Sequence, residues 1–144
     1  MDKKLIDDIK IFPIDKIHVE GGDVYHGLKA SEKSFKSFGE AYFSFIESGA
    51  VKAWKKHRKM TLNLIVPLGR VEFAMFDDDF VACKSFILSP ENYSRLTIPP
   101  NIWVGFKGLF NDTSMLLNIA DIEHDPNEVE RLEKDEISFN WSNK

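Results

Sequence analysis

The chain has 144 residues, the length of one domain, and it can bury about two-thirds of the surface that its unfolded form exposes. With 43% hydrophobic and 29% charged residues, the composition is that of a globular protein and excludes a disordered chain. A formal net charge of −4 argues against a nucleic-acid binder that works through bulk positive charge.

Cysteine content and apolar run length predict where the protein works. The single cysteine excludes an intrachain disulfide and favours a reducing compartment. No apolar run approaches the ~20 residues that span a bilayer, and the acidic residues within 1–8 do not fit a signal peptide. We therefore predict a cytoplasmic, single-domain protein over residues 1–144 that binds neither membrane nor nucleic acid.

Short aromatic and β-branched runs between turn residues predict an all-β fold. The predicted strands are 41–46, 60–66, 70–76, 81–88, 95–98, 102–106 and 115–119, and the predicted turns are 47–49, 67–69, 77–79 and 99–101. Seven or eight strands at roughly 10-residue spacing are typical of a β-sandwich or barrel.

Helix signals are few. Near the C-terminus, Asp125 is a good N-cap, Pro126 suits the first helical position, and Glu128 would complete a capping box. A second short helix is expected to start at Ser89. Both predicted helices are short, so neither changes the fold class.

A basic run over residues 52–59 precedes the strand predicted at 60–66. If the chain is extended throughout, side chains alternate, and one face carries Lys55, His57, Lys59, Thr61 and Asn63. Such a face cannot be buried in an apolar core without a large cost. It either lines a cavity for an anionic ligand, with His57 available for proton transfer, or forms a solvated edge strand.

Other polar features predict little chemistry. The four histidines show no H-x-H spacing, so no metal site is predicted. The acidic run 77–79 is expected to be a solvated turn, and Cys83 an inert thiol. Trp54 and Trp103 either stack on a base or sugar or pack in the core.

Several segments resemble the dTDP-4-dehydrorhamnose 3,5-epimerases. Residues 38–57 are similar to the family's F-x-Q-x-N-x-S and G-V-x-R-G-x-H-x-Q patterns, and 67–71 to the hairpin that follows. Residues 98–106 resemble V-P-x-G-F-A-H-G-F, and 137–141 resemble a closing I-x-W segment. The resemblance covers roughly residues 20 to 141.

This resemblance implies a cupin-type antiparallel β-jelly roll (a double-stranded β-helix), usually a homodimer without metal or cofactor. It implies a nucleotide-linked 4-keto-6-deoxy sugar as substrate, in surface-polysaccharide sugar synthesis. The reaction would remove a proton next to the keto group and return it to the enolate. The alternatives are a non-catalytic sugar- or nucleotide-binding cupin that has lost its acid residue, and a structural dimerisation module.

The resemblance also implies site residues. A gap-free alignment puts Lys55 at the catalytic histidine of the family, whereas a two-residue insertion puts His57 there, and both remain candidates. We expect His57 as base, Tyr42 as candidate acid, and Lys59, with Lys55, as a holder of the diphosphate or enolate. The residues expected to bind substrate are Lys52, Lys55, Asn63, Glu40 and Trp103.

Overall fold

Twelve strands form most of the regular structure in residues 4–143, the part of the chain that the computed structural model describes. They are β1 Lys10–Pro13, β2 Lys16–Ile17, β3 Val24–Tyr25, β4 Glu40–Ile46, β5 Val51–His57, β6 Leu62–Leu68, β7 Val71–Phe76, β8 Cys83–Leu88, β9 Ser94–Ile98, β10 Trp103–Gly108, β11 Ser114–Ala120 and β12 Val129–Arg131. Three single turns of 3-10 helix cover Leu5–Asp8, Pro126–Glu128 and Lys134–Glu136. The first residues of the acidic N-terminus and the predicted limits of the domain lie outside the described range.

The strands form two five-stranded sheets and one small hairpin. Sheet one has the order β1-β9-β6-β11-β4, sheet two has the order β12-β5-β10-β7-β8, and β2 pairs with β3. All pairings are antiparallel. With 44% strand and 7% helix, the fold confirms the predicted cupin-type jelly roll.

The core lies between the two sheets, because each sheet turns alternate apolar side chains toward the other. Sheet one contributes Val66 and Leu96, and sheet two contributes Phe73 and Met75, all fully buried. Burial of each such side chain contributes roughly 1.5–3 kcal/mol. Core formation therefore fixes the register of both sheets, since a one-residue slip would expose these side chains.

The C-terminal segment packs against the end of this core. Ile137, Phe139 and Trp141 gather around Trp54 and Phe76, with the Trp54 and Trp141 rings stacked at 5.7 Å between centroids. Trp103 belongs to the same buried cluster. Both tryptophans that the sequence singled out therefore pack in this buried cluster, and Trp54 also lines the cavity described below.

The seven strands predicted from sequence are all present, with ends that differ by at most two residues. The turn predicted at 67–69 comes slightly later, because β6 continues to Leu68 and the chain turns at Gly69 and Arg70 before β7. Gly69 has a φ of +92°, a conformation that favours glycine. The short strands β1, β2, β3 and β12 were not predicted. They carry too few residues for a pattern of alternation to stand out.

Three local predictions are wrong. The chain is not extended from 55 to 63: β5 ends at His57, and residues 58–61 carry the chain across to β6 in the other sheet. The helix expected from Ser89 is a turn, closed by the Asn92 amide onto Ser89. Asp125 does cap the turn after it, but Glu128 is directed elsewhere and forms no capping box.

A β-bulge in β5 decides which way its lysines point. In the ladder with β10, Lys55 pairs with Val104 and Lys52 with Phe106, so β5 has one more residue than β10 between these pairs. Residues three apart would normally face opposite sides of a sheet. Because of the bulge, Lys52 and Lys55 face the same side.

Glycine at position 105 makes room for this bulge. A Cβ atom there would lie 2.7 Å from the Ala53 Cβ and 2.8 Å from the Trp54 ring. We expect Gly105→Ala to lower the free energy of unfolding by about 1–3 kcal/mol, because the bulge must shift to accept the methyl group. Urea denaturation measures the effect.

Gly27→Ala is the matched control. A Cβ at Gly27 would make only ordinary contacts of 3.6 Å with Ile65 and Ile119, so stability should change by less than about 0.5 kcal/mol. Equal losses for both variants would contradict a specific role for Gly105.

Candidate active site

A cavity of about 580 Å³ opens between the two sheets, within the size range of small-molecule sites. Strands β4, β6 and β11 line it from sheet one, and β5, β10 and β12 from sheet two. Its apolar lining includes Trp54, Leu62, Leu64, Val104, Phe106 and Leu116, and its polar lining includes Tyr42, Ser44, Lys52, Lys55, His57, Asn118, Arg131, Glu133 and Glu136. An apolar cavity with a few convergent polar groups is typical of a ligand site.

His57 is held by a buried carboxylate. Its Nδ1 lies 2.5 Å from Oε2 of Glu128, and both side chains are more than 90% buried. The other oxygen of Glu128 accepts the backbone amides of Lys59 and Met60, at 2.9 and 3.0 Å. Since a carboxylate only accepts, Nδ1 carries the hydrogen and the unprotonated Nε2 is left for the cavity.

The surroundings of this pair favour a neutral imidazole and an ionised carboxylate. Burial lowers the pKa of His57 below its ordinary 6.5, and the positive charge of Lys55 acts in the same direction, while Glu128 opposes them. Burial tends to raise the pKa of Glu128, but the hydrogen bonds from His57, Lys59 and Met60 outweigh it and hold that pKa below 4.5. A neutral histidine with an oriented partner is suited to act as a general base.

Three cations line the cavity beside His57. Lys52 and Lys55 lie on β5, and Arg131 lies opposite Lys55 in the β12–β5 ladder. Burial is the main cause that lowers the pKa of Lys55, and the positive charges of Arg131 and Lys52 lower it further. This mutual repulsion is relieved when an anion binds among the three groups, so the arrangement suits a phosphate or diphosphate.

Tyr42 faces the cavity from sheet one. Its hydroxyl oxygen accepts a hydrogen bond of 3.0 Å from the side-chain amide of Asn118, its neighbour in the β11–β4 ladder. Within residues 4–143 no protein acceptor lies within hydrogen-bond distance of the Tyr42 hydroxyl. Its proton is therefore available to a ligand.

The structure brings four of the predicted site residues to the cavity: Tyr42, Lys52, Lys55 and His57. Glu40 is not among the lining residues, although it shares the inward row of β4, and its Oε1 is buried with no hydrogen-bond partner among residues 4–143.

Three other predicted site residues also lie away from the cavity. The Lys59 side chain is exposed on the connection between the sheets. Asn63 is buried behind the cavity, where its Oδ1 accepts from Thr97 at 2.7 Å. Trp103 precedes Val104 on β10, so its side chain faces the opposite side of the sheet from Val104, which lines the cavity. The ring N–H of Trp103 donates to Asp78 at 3.1 Å.

Sequence reasoning missed several polar residues at this site, among them Asn118, Glu128 and Arg131, and the lining residues Ser44, Glu133 and Glu136. The sequence predicted Glu128 as part of a helix cap. Glu128 is 71 residues from His57 in the chain, and only the fold shows that the two side chains are in contact. Arg131 follows three residues later on β12. No local signal placed Arg131 at the site, because only the β12–β5 ladder, in which it pairs with Lys55, brings it there.

No helix within residues 4–143 has the length and apolar character needed to cross a membrane. In the same range, no three histidine, cysteine or acidic side chains converge as metal ligands.

The jelly roll and its polar cavity define a cupin with an oriented histidine beside Lys52, Lys55 and Arg131. No family model matches the chain. It is 30% identical over 105 residues to a probable low-salt glycan biosynthesis epimerase, Agl13, of Haloferax volcanii, and the match spans 66% of each protein, just under two-thirds of that relative's length.

Solved structures extend the comparison to nearly the whole chain. A dTDP sugar isomerase from Desulfovibrio desulfuricans G20 is 32% identical, with a TM-score of 0.88 over 98% of this chain and 95% of that one. The dTDP-6-deoxy-D-glucose-3,5-epimerase of Legionella pneumophila Philadelphia 1, solved with dTDP-4-keto-L-rhamnose, shares the fold at 18% identity and a TM-score of 0.82, over 96% of this chain and 81% of that one. The chain belongs to the dTDP-4-dehydrorhamnose 3,5-epimerase-like family of sugar-nucleotide epimerases and isomerases, as its motifs predicted.

The coupling of His57 to Glu128 is testable by titration. We expect NMR to give a His57 pKa below 6.5 and a still lower value in Glu128→Gln, because the substitution removes the carboxylate that raises it. Glu130→Gln is the control, since Glu130 pairs with Lys56 and not with His57. A His57 pKa that rises or stays constant in Glu128→Gln would contradict the coupling.

Proposed function

We propose that this protein is an epimerase or isomerase that acts on a dTDP-4-keto-6-deoxy sugar by removing a proton from a carbon next to the keto group. The observation that carries the proposal is the His57–Glu128 pair, which lies in one cavity with three cations and a tyrosine whose proton is free. Membership of a family of sugar-nucleotide epimerases and isomerases supports the substrate class.

His57 is the base in this proposal. Its Nε2 takes the proton, and the electron pair of the broken C–H bond moves into the enolate of the keto group. The imidazolium that forms is stabilised by the carboxylate of Glu128, which is already ionised and hydrogen-bonded. No reorganisation of this pair is needed when charge develops.

Tyr42 is the acid. It lies on β4 in sheet one, whereas His57 lies on β5 in sheet two, so a sugar bound between them meets the two groups on different sides. Epimerisation requires the proton to leave one face of the carbon and a proton to arrive on the other. This placement favours epimerisation over a shift that one base performs on a single face.

The cation cluster formed by Lys52, Lys55 and Arg131 binds the diphosphate. Binding of the nucleotide places the sugar near His57. The binding energy of the diphosphate then offsets the entropy that the sugar loses when it is positioned for reaction. Lys55 is also next to His57 on the inward row of β5 and is the cation best placed for the enolate oxygen. Lys59 has no such role, because its side chain lies outside the cavity.

The alternative of a non-catalytic binding cupin is less well supported. A binding site needs hydrogen-bond donors and cations, but it has no use for a buried carboxylate that fixes the tautomer of a histidine and leaves Nε2 unprotonated. That alternative was based on the absence of an acid residue, and in our proposal the Tyr42 hydroxyl supplies the acid. We place the enzyme in the cytoplasm, in the synthesis of sugars for surface glycans, and the free thiol of Cys83 is consistent with this.

Replacement of His57 tests the proposal directly. His57→Asn keeps a polar side chain but removes the titrating nitrogen, so turnover of a dTDP-4-keto-6-deoxy sugar should fall about 10²-fold or more while binding changes little. The measurement is deuterium incorporation from heavy water. His18→Asn, at an exposed pair with Asp23, is the control.

Two outcomes would contradict the proposal. Deuterium incorporation at the wild-type rate in His57→Asn would show that the base lies elsewhere, and Lys55 would be tested next. A wild-type protein that binds the nucleotide sugar but exchanges no proton above background would identify a binding cupin.

We further propose a two-fold homodimer. Strand β4 is an edge strand of sheet one, and its outward row carries Phe43 and Phe45, which are 58% and 59% exposed. Ile17 and Val24 of the N-terminal hairpin are also exposed. Exposed apolar side chains on an unpaired edge favour association with another chain.

The dimer is expected by sedimentation at micromolar concentration, and Phe43→Ser with Phe45→Ser should shift it toward monomer. The control is Val81→Ser, since Val81 is 79% exposed in the turn before β8. A wild-type monomer would contradict the proposed dimer, and a dimer unaffected by the Phe substitutions would place the interface elsewhere.

A further inference from the structure

Asn118 lies between the core of sheet one and the cavity, and every polar atom of its side chain is used. Its Oδ1 accepts the backbone amide of Asn63 at 3.1 Å. Its Nδ2 donates to the Tyr42 hydroxyl at 3.0 Å and lies 3.9 Å from the sulfur of Met60. Asn118 is 2% exposed, so water does not compete for these contacts.

The backbone of Asn63 fixes the orientation of this amide. A backbone N–H can only donate, so the atom that faces it must be the oxygen of Asn118. Rotation of the amide by half a turn would bring two donors together at Asn63 and leave both buried groups unsatisfied. The nitrogen of Asn118 is therefore held toward Tyr42.

A fixed donor at Tyr42 determines where the tyrosine proton points. The phenol oxygen must accept from Asn118, so its own O–H is turned away from that contact. Within the described residues no other side chain accepts the O–H, and because Tyr42 is 38% exposed and lines the cavity, its O–H is open to a ligand bound there. The tyrosine is kept as a donor toward the ligand.

We propose that Asn118 is a positioning residue that keeps the Tyr42 hydroxyl oriented as a proton donor to the bound substrate. This inference rests on the proposed function, because it assigns to Tyr42 the protonation of the enolate. Asn118 itself transfers no proton. Its effect is to prevent the Tyr42 hydroxyl from donating back into the protein.

Asn118→Asp reverses the polarity at nearly constant size. A carboxylate still accepts from Asn63, but it presents an acceptor to Tyr42, so the phenol donates to Asp and its proton is withdrawn from the cavity. Protonation of the enolate should become slower, whereas proton abstraction by His57 should continue. We expect kcat for product to fall at least about 10-fold with little change in KM.

The first measurement is the ratio of product formed to deuterium washed into recovered substrate. His57 can return deuterium to the face from which it took the proton, but product needs the proton from Tyr42. Asn118→Asp should lower this ratio at least about 10-fold. A merely structural role would reduce both quantities together and leave the ratio unchanged, and that result would overturn the proposal.

Two further variants sharpen the test. Tyr42→Phe should lower the same ratio, and Asn118→Asp added to it should have no further effect, since no hydroxyl is left to orient. Thr97→Val is the control: it removes the hydroxyl that Asn63 accepts without touching Asn118, and should reduce stability while leaving the ratio unchanged. Additive losses in the double variant would contradict the proposal.

A spectroscopic readout separates this inference from the proposed function. The Raman doublet of tyrosine differs between a phenol that accepts and one that donates, and a difference spectrum against Tyr42→Phe isolates Tyr42. We expect an accepting signature that becomes a donating one in Asn118→Asp. If Asn118→Asp leaves the doublet unchanged, the proposed orientation of the Tyr42 hydroxyl is wrong. If Asn118→Asp changes the doublet as expected but the wild-type protein has no activity, the proposed function is wrong instead.

Discussion

The buried carboxylate of Glu128 is the group on which the site depends. It accepts from His57 on β5 and from two backbone amides in the connection to β6, so it joins the two sheets where the chain crosses between them. An ionised carboxylate at this depth is tolerated only because each oxygen is hydrogen-bonded. The same bonds that satisfy its charge fix the histidine tautomer, so structural and chemical requirements coincide in one residue.

The second constraint is the bulge in β5. Regular alternation on this strand would separate Lys52 from Lys55, and the cavity would have one lysine fewer beside Arg131. The extra residue opposite β10 brings both lysines inward, at the cost of a glycine at position 105. An irregularity in the ladder thus brings the two lysines together beside Arg131, and β-bulges often redirect side chains in this way.

Much of the fold followed from the sequence, because alternating apolar runs and turn residues are local signals. The strand from Met115 to Ile119 and the turn at Gly69 needed no tertiary information. The site was only partly accessible for the opposite reason. His57 and Lys55 stand two residues apart on one strand and were grouped correctly, whereas Lys59 and Asn63 were added by extending the strand past the point where the chain changes sheet.

Glu128 and Asn118 could not be recognised at all from local sequence. Both contact residues that only long-range strand pairing brings near. In the local sequence, Glu128 is explained as part of a helix cap and Asn118 as an ordinary polar residue of a strand. Trp103 was predicted to bind substrate and lies outside the cavity lining, because the sequence does not show which face of a strand an aromatic side chain occupies. The register of β10 with β7 and β5 decides its direction.

The separation of 71 residues between His57 and Glu128 has a consequence for the kinetics of assembly. Closing so long a loop is slow and is opposed by chain entropy, so this contact depends on the strands that form between the two residues. A partly folded chain in which β12 has not docked lacks both the partner of His57 and the third cation. The His57–Glu128 pair and the side chain of Arg131 are therefore in place only once β12 has docked on β5.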